Sequence, residues 1–112
     1  MFSTMNYKLM LRVVVQTKKE EQIAEVQQEL RKLVPTLSFS PFREEQSLDG
    51  CLEFYSTGTV EKAERKRLVD TLDNDWDYDE EDDIYWAYGF NTKMFDPRVY
   101  YLEMEFSKSS KG

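Results

Sequence analysis

The residues of this 112-residue chain that are best suited to chemistry are its carboxylates, and they are concentrated in one short segment. Eight of the eleven residues from Asp73 to Asp83 are Asp or Glu, and none of the eleven is basic. Paired carboxylates can act as general acid and base, or hold a divalent cation. Both uses need oxygens that converge on one point from rigid elements, whereas like charges crowded on one segment repel one another into water. We therefore expect a charged surface here, not a catalytic centre.

The start of this acidic run alternates Asp with other residues, as a calcium loop does. An EF-hand loop also needs Gly at its sixth position and a bidentate Glu at its twelfth. Counted from Asp73, those positions hold Tyr78 and Ile84, and the register that begins at Asp75 fails at both positions as well. The sequence therefore predicts no specific metal site, and it contains no motif that predicts a cofactor.

Other catalytic sites are excluded by what the chain lacks. It contains no histidine, and Cys51 is its single cysteine. Without histidine, Ser-His and Cys-His nucleophilic sites and the common zinc sites cannot form. A single cysteine cannot make an intrachain disulfide, and neither a Gly-rich phosphate loop nor a nucleophile elbow is present. We predict that the protein is not an enzyme.

Aromatic residues are interleaved with the acids. Trp76 and Tyr78 lie inside the acidic run, and Tyr85 follows it closely. Protein interfaces favour rigid aromatic anchors surrounded by charges that steer a partner of opposite sign. We predict a partner-binding site in which carboxylates pair with Lys and Arg of the partner while Trp76 and Tyr78 are desolvated anchors. Its residues are Asp75, Trp76, Asp77, Tyr78, Asp79, Glu80, Asp82, Asp83 and Tyr85.

The distribution of charge indicates what kind of partner to expect. The net charge is −7, and outside the acidic run the chain has 14 acidic against 15 basic residues. A near-neutral body with one anionic patch repels nucleic acid and attracts basic proteins. Small, acidic, cofactor-free bacterial inhibitors of toxic nucleases, and phage inhibitors of DNA-targeting defence enzymes, are similar to this chain in size and charge layout. The resemblance implies an inhibitor, immunity protein or antitoxin that imitates nucleic acid and blocks a basic, nuclease-like cleft.

Two other interpretations stay open. An acidic segment between a helix and a strand is often only a solvated connection, in which case the function lies on another surface. The chain could also be a ferredoxin-like homodimer that binds a small ligand or carries a minor enzymatic activity. Cys51, Tyr55, Tyr85 and Tyr101 would then line the uncovered face of its sheet. The sequence is compatible with a monomer or a weak homodimer.

The hydrophobic periodicity predicts the elements that position these residues. Thr17-Lys-Lys-Glu20 matches a capping box at the start of a first helix, which Pro35 ends. A second helix is predicted over Val60–Leu72, after a turn at Ser56–Thr59, with an exposed basic side that contains Arg65. The predicted strands are Tyr7–Gln16, Thr36–Phe42, Cys51–Tyr55, Ile84–Phe90 and Arg98–Phe106.

The resulting order, β-α-β-β-α-β-β, predicts a single α+β domain over residues 1–112 with a disordered tail from 107 to 112. The first six elements follow a ferredoxin-like split β-α-β sandwich, with an antiparallel sheet and two helices on one face, and the last strand lengthens the sheet. The chain contains no stretch of about 18 apolar residues that could span a membrane, and Met1–Asn6 lacks the features of a signal peptide. We therefore expect a cytoplasmic protein.

Overall fold

The computed structural model describes residues 6–44, 50–72, 76–88 and 96–108. They form an α+β arrangement with two helices and a seven-stranded antiparallel sheet, so the predicted α+β class is confirmed. The strand count differs from the five strands that the sequence predicts. The elements are β1 (Asn6–Val15), α1 (Glu20–Leu33), β2 (Ser38–Phe39), β3 (Arg43–Glu44), β4 (Leu52–Glu61), α2 (Lys62–Leu72), β5 (Asp77–Asp79), β6 (Ile84–Tyr88) and β7 (Val99–Lys108).

The strands lie in the order β2-β4-β1-β7-β6-β5, with β3 also paired to β4. β1 is central and pairs along its length with both β4 and β7. The prediction that the last strand extends the sheet at its edge is therefore wrong, since β5 and β6 occupy that edge. β7 pairs with β1 on one side and with β6 on the other, and its residues Leu102, Met104 and Phe106 are at most 2% exposed in the core.

The core lies on one face of the sheet. The odd-numbered residues of β1, among them Leu9, Leu11 and Val13, are fully buried and for the most part alternate with exposed or half-buried neighbours. They share one hydrophobic cluster with residues of both helices: Ile23, Val26 and Leu30 of α1, and Leu68 and Leu72 of α2. Burying each of these side chains is worth roughly 1.5–3 kcal/mol. Both helices therefore cover the same face.

The start of α1 differs from the predicted capping box. The helix begins at Glu20, and its N-cap residue, Lys19, makes no side-chain cap hydrogen bond. The Thr17 hydroxyl instead accepts a hydrogen bond from the backbone N–H of Lys19 at 3.1 Å and donates one to Gln22 Oε1 at 2.5 Å. Thr17 is only 8% exposed, so its side chain shapes the turn before the helix and does not cap the helix itself.

The predicted turn at Ser56–Thr59 is also wrong, because β4 continues through it to Glu61. Gly58 pairs with Leu9 inside the β1–β4 ladder. A Cβ at this position would lie 3.1 Å from Leu37 Cδ2, so glycine leaves room for Leu37 to pack against the strand. Val60 is 2% exposed as a strand residue, and α2 starts two residues later than predicted.

We call the other side of the sheet the open face, because both helices pack on the opposite side. The even-numbered residues of β1 lie there with residues of β4, β6 and β7. Glu53 is almost fully buried on this face and accepts hydrogen bonds from Nε of Arg12 and Nε of Arg43, both at 2.8 Å. Tyr85, which was predicted for this face, packs instead against the core on the helix side.

The remaining boundaries depart from the sequence prediction at strand ends. Ser107 and Lys108, predicted to start a disordered tail, are the last two residues of β7. The predicted strand over Thr36–Phe42 is reduced to the two residues of β2. The next segment, Arg43–Leu48, is predicted from its sequence to be a polar loop, but its first two residues form β3. The predicted ends at Gly89–Phe90 and at 109–112 lie outside the described residues. Among the residues that are described, neither helix has the length and apolarity needed to cross a bilayer.

Candidate functional site

The acidic run folds largely as a β-hairpin at one edge of the sheet. β5 pairs with β6 in the register Asp77↔Trp86 and Asp79↔Ile84, and residues 80–83 form the turn between them. The Asp79 carboxylate accepts hydrogen bonds from the backbone N–H groups of Glu81 and Asp82, at 3.0 and 3.4 Å. This is the local bonding that makes Asp a favoured turn residue. We call residues 76–88 the acidic hairpin.

The last residue of the turn has an unusual backbone conformation. Asp83 has a φ of 56° and is the one non-glycine residue with positive φ among those described. Left-handed backbone costs an ordinary L-residue roughly 1–2 kcal/mol, and Asp and Asn tolerate it best. The main chain of Asp83 also accepts a hydrogen bond from Phe106 N–H at 3.1 Å, which ties the turn to β7.

The side chain of Asp83 fixes the hairpin to α2. Its carboxylate forms a bidentate ion pair with Arg65, in which Nη1 donates to Oδ2 at 2.9 Å and Nη2 donates to Oδ1. The hydroxyl of Tyr78 donates a further hydrogen bond to Asp83 Oδ1 at 3.0 Å. Bidentate arginine–carboxylate pairs combine strength with a defined geometry. The turn is therefore held in one orientation relative to the helix.

Arg65 is partly enclosed by aromatic rings. Its guanidinium carbon lies 4.4 Å from the ring centroid of Phe106 and 4.6 Å from that of Tyr7, and only 16% of its side chain is exposed. Burial alone would lower the pKa of Arg65, but its interactions with Asp83 and Tyr85 outweigh that effect and raise the pKa above its ordinary value. The ring faces of Phe106 and Tyr7 and the carboxylate of Asp83 together stabilise the largely buried guanidinium of Arg65.

A second set of contacts supports the base of the hairpin. Trp76 is half-buried, and its Nε1–H donates to the carbonyl of Val69 in α2 at 2.8 Å. Tyr85 packs between Trp76 and Tyr78, with ring centroids 5.9 and 4.3 Å away. Such aromatic contacts are worth about 0.5–1.5 kcal/mol each beyond the area they bury. The inner side of the hairpin is thus a packed aromatic layer.

The outer side of the hairpin is charged and exposed. Asp77, Glu80, Glu81 and Asp82 are exposed, and none of them forms an ion pair with any residue in the described ranges. Tyr78 follows Asp77 in β5, so its side chain lies on the other side of the strand, and 44% of its surface is exposed. Burial, followed by the hydrogen bond to Asp83 and the charge of Asp83, raises the pKa of Tyr78, so the phenol is neutral at physiological pH. The result is a negative surface on the turn and on one side of β5, with the Tyr78 ring on the other side of the strand next to Tyr85.

The structure separates the predicted site residues into two groups. Asp77, Tyr78, Glu80 and Asp82 are exposed, and Asp79, the last residue of β5, is half-buried. The other three described members point inwards or bond within the chain: Trp76, Asp83 and Tyr85. The remaining member, Asp75, lies outside the described residues.

Two residues that matter here were missed. Glu81 is exposed on the same turn but was left out of the predicted set, although nothing in the sequence distinguishes it from Glu80. Arg65 was assigned to an exposed basic helix side. It is spaced three and seven residues from Leu68 and Leu72, the two buried residues of α2. Residues at that spacing share a helix face. An arginine on the apolar face of α2, in a helix that is followed by an acidic run, was therefore the sequence signal for a buried ion pair with that run.

A groove of about 460 Å³ lies beside the hairpin, between α2 and the end of the sheet. Tyr7, Arg65 and Tyr85 contribute to its walls, and Lys62 and Lys66 are at its rim. Lys66 forms an exposed ion pair with Asp70 at 3.2 Å. Positive and negative surfaces therefore adjoin at this end of the molecule, with the acidic hairpin projecting beyond the groove.

The exposed carboxylates of the hairpin are spread along its turn and β5 and are not gathered at one point. Within the described ranges, no three His, Cys, Asp or Glu side chains come together in a way that could hold a metal ion. The exposed carboxylates point into solvent and do not converge on a pocket, whereas a general acid or base must lie within hydrogen-bond reach of a reacting group.

Comparisons of this chain with protein-family models, with curated proteins and with solved structures found no match.

Proposed function

We propose that this protein is a non-catalytic binding module whose acidic hairpin docks on a basic surface of another protein and blocks it. In this proposal it acts as a small acidic inhibitor or immunity protein, and the partner is a nuclease-like protein with a cationic cleft. The observation that carries the proposal is a set of exposed carboxylates that have no counter-ion among the described residues. They are presented on a hairpin that is fixed by Arg65 and Trp76.

The rigid anchoring supports binding because ordering a loop costs free energy when a partner arrives. A surface that is already held in its bound geometry avoids much of that cost. Here the Arg65–Asp83 pair and the Trp76–Val69 hydrogen bond hold the two ends of the turn region against α2. Asp83, Trp76 and Tyr85 are then supporting residues of the site, and the contact residues are Asp77, Tyr78, Glu80, Glu81 and Asp82.

The charge of the surface supports a basic protein as partner. Carboxylates accelerate encounter with a cationic surface and give an association rate that falls with salt. Their negative potential repels nucleic acid. Tyr78 supplies the aromatic area that interface centres favour. Its ring is 44% exposed on the side of β5 opposite Asp77 and Asp79, where a partner can cover it.

We propose further that the scaffold is the ferredoxin-like split arrangement with an inserted hairpin. The strand order β2-β4-β1-β7, its antiparallel pairing and the two helices on one face support this assignment. β5 and β6 then form an addition between α2 and the last strand. A fold of this kind hosts many functions, so the proposed binding role depends on the added hairpin and not on the scaffold.

The test begins with capture of a partner from the source cell at low salt and its release at high salt. Association is then measured with purified partner for Glu80→Gln/Glu81→Gln/Asp82→Asn. We expect the association rate constant to fall by about tenfold at low salt, with a flatter salt dependence and a similar dissociation rate. The matched control is Glu20→Gln/Glu21→Gln/Glu29→Gln, which removes three exposed carboxylates from α1.

The control distinguishes local steering from total charge. Equal slowing by both triple variants would show that only net charge matters, and unchanged association in the hairpin variant would reject the proposal. Tyr78→Ala is expected to raise the dissociation rate by about tenfold if its ring is a buried anchor. Tyr78→Phe retains the ring and should behave nearly as the unaltered protein does.

A further inference from the structure

We propose that the open face of the sheet binds a second copy of this chain, giving a two-fold symmetric dimer in which two sheets pack face to face. The open face includes Ile84, Trp86 and Tyr88 of the acidic hairpin, and the register places Asp77 and Asp79 of β5 beside Trp86 and Ile84. It does not include the turn, residues 80–83, on which the proposed steering of a basic partner mainly depends. Two observations support the dimer. The strand register arranges the side chains of the open face in rows across the sheet, and a two-fold axis parallel to the strands places each row opposite its own reverse.

The open face has the composition of a protein interface. Met10 and Tyr88 are exposed by 38% and 37%, and Tyr55, Trp86 and Tyr101 are half-buried around them. Aromatic residues, Met and Arg are the residue types enriched at interfaces. Tyr88 and Tyr101 contact each other with ring centroids 4.9 Å apart, and the Arg12 guanidinium lies 5.5 Å from the Tyr101 ring. Rings and guanidinium groups thus form a continuous layer across the strands.

The pairing register arranges this layer in rows that run across the sheet. One row, from β4 through β1 and β7 to β6, is Tyr55, Arg12, Glu103 and Trp86. The next row is Thr57, Met10, Glu105 and Ile84. A third row is Glu53, Val14, Tyr101 and Tyr88.

A two-fold axis parallel to the strands and midway between β1 and β7 reverses the order of each row. In the first row, Arg12 of one copy then faces Glu103 of the other, and Tyr55 faces Trp86. An isologous interface requires this self-complementarity, because every contact occurs twice. In this row opposite charges meet beside the axis and aromatic rings meet beyond it. In the second row the axis places Met10 opposite Glu105, and in the third it places Val14 opposite Tyr101 and Glu53 opposite Tyr88. Because sheets twist, the match is closest next to the axis, on β1 and β7.

The available area suits a dimer of modest strength. β4, β1 and β7 each have ten residues. At about 4.8 Å between strands and about 3.4 Å per residue, these three strands and β6 present a face of roughly 600 Å². Standard interfaces bury about 800 Å² per partner. A tight obligate dimer usually buries more, so we expect reversible association at micromolar concentrations.

The carboxylates of this face argue against other partners. Glu103 and Glu105 are successive side chains of β7 on this face, and the buried Glu53 neutralises part of the charge of Arg12 and Arg43. A nucleic-acid strand lying on the rings would place its phosphates against these acids. In the proposed dimer, Arg12 of the second copy lies opposite Glu103 instead of a phosphate.

The test is sedimentation velocity over a range of protein concentrations. We expect the unaltered protein to show a reversible monomer–dimer equilibrium. Arg12→Glu and Glu103→Arg should each weaken dimerisation by at least about tenfold, because each places like charges opposite one another twice per dimer. An equimolar mixture of the two variants should recover dimers. In the mixed dimer the carboxylate introduced at position 12 faces the guanidinium introduced at position 103, and the original pair occupies the other contact.

Arg12→Glu also removes a partner of Glu53 and could impair folding, so a second variant is needed. Met10→Asp places an extra carboxylate opposite Glu105 at an exposed position, and Lys62→Glu on α2 is the control away from the face. We expect Met10→Asp to be monomeric and folded by circular dichroism, and Lys62→Glu to dimerise normally. A monomer at all concentrations, a dimer unaffected by Met10→Asp and Glu103→Arg, or failure of the mixture to recover would each overturn the proposal. So would retention of RNA by the open face with no self-association.

Discussion

An arginine–carboxylate ion pair lies towards each end of the sheet. In one ion pair the arginine is the more buried partner, and in the other the carboxylate is. At the acidic hairpin the cation is enclosed: the side chain of Arg65 is 16% exposed and that of Asp83 is 27% exposed. Near β3 the carboxylate is enclosed: Glu53 is 6% exposed, whereas Arg12 and Arg43 are 28% and 66% exposed. In each case the enclosed ion has more than one partner. Arg65 has a bidentate carboxylate and two rings, and Glu53 has two guanidinium groups.

This contrast indicates which substitutions should be costly. Removing a partner from a buried ion leaves a charge without compensation, which costs far more than the pair contributes when intact. Removing the buried ion itself leaves the exposed partners free to bind water. The cost should therefore depend on which member of each ion pair is lost, and the following predictions test this asymmetry.

The largest effect is expected for Asp83→Ala. It leaves Arg65 enclosed without its carboxylate and places alanine at a positive φ, so we expect the free energy of unfolding to fall by about 3 kcal/mol. Asp83→Asn tolerates the backbone conformation and should cost about 2 kcal/mol. Urea denaturation followed by circular dichroism measures both. Asp82→Ala, on the exposed part of the same turn, is the control and should change stability by less than about 0.5 kcal/mol.

A smaller effect is expected for Glu53→Gln at the other ion pair. The amide keeps one acceptor for the arginines, and both guanidinium groups can reach solvent, so we expect a loss of about 1 kcal/mol. Glu44→Gln removes an exposed carboxylate that lies 3.6 Å from Lys18, and it should be nearly neutral. If Glu53→Gln proves as costly as Asp83→Ala in the same denaturation experiment, the asymmetry between the two ion pairs is refuted.

The smallest effect, and one of opposite sign, is expected for Ser56→Ala. Ser56 is 1% exposed, and its hydroxyl is the one buried side-chain polar atom without a hydrogen-bond partner in the described part of the chain. Removing an unsatisfied buried hydroxyl should leave stability unchanged or raise it by about 1 kcal/mol. Thermal unfolding measures the shift, and Ser38→Ala at an exposed position is the control. Clear destabilisation by Ser56→Ala would reveal a partner for the hydroxyl.

The sequence predicted the elements whose burial is regular and missed those that depend on distant contacts. β1 and α1 follow strict periods of apolar residues, and both were located within a few residues. The β4–α2 boundary was missed because Gly58 was interpreted as a turn residue. Its small size serves the packing of Leu37, a residue more than twenty positions away. Local propensity cannot show such a requirement.

The sequence shows where acidic and aromatic residues are concentrated, but not how the fold arranges them. The sequence analysis assigned no strand to the acidic run and left open that it is a solvated connection, and Asp is generally disfavoured in strands. Pairing with β6 and the contact of Tyr78 with Tyr85 override that preference over Asp77–Asp79. The role of Asp83 depends on Arg65, eighteen residues earlier, and on a left-handed backbone conformation. Composition locates the charge, but only the fold distinguishes carboxylates that bind within the chain from those that face solvent.

The position of β5 at the outer edge of the sheet bears on colloidal behaviour. A bare edge strand offers unpaired backbone groups to any other chain, and charged side chains are a common defence against fibril-like growth. β5 carries Asp on both sides of Tyr78 and is followed directly by the acids of the turn. Replacing these carboxylates by neutral residues should therefore make the edge more prone to pair with other chains.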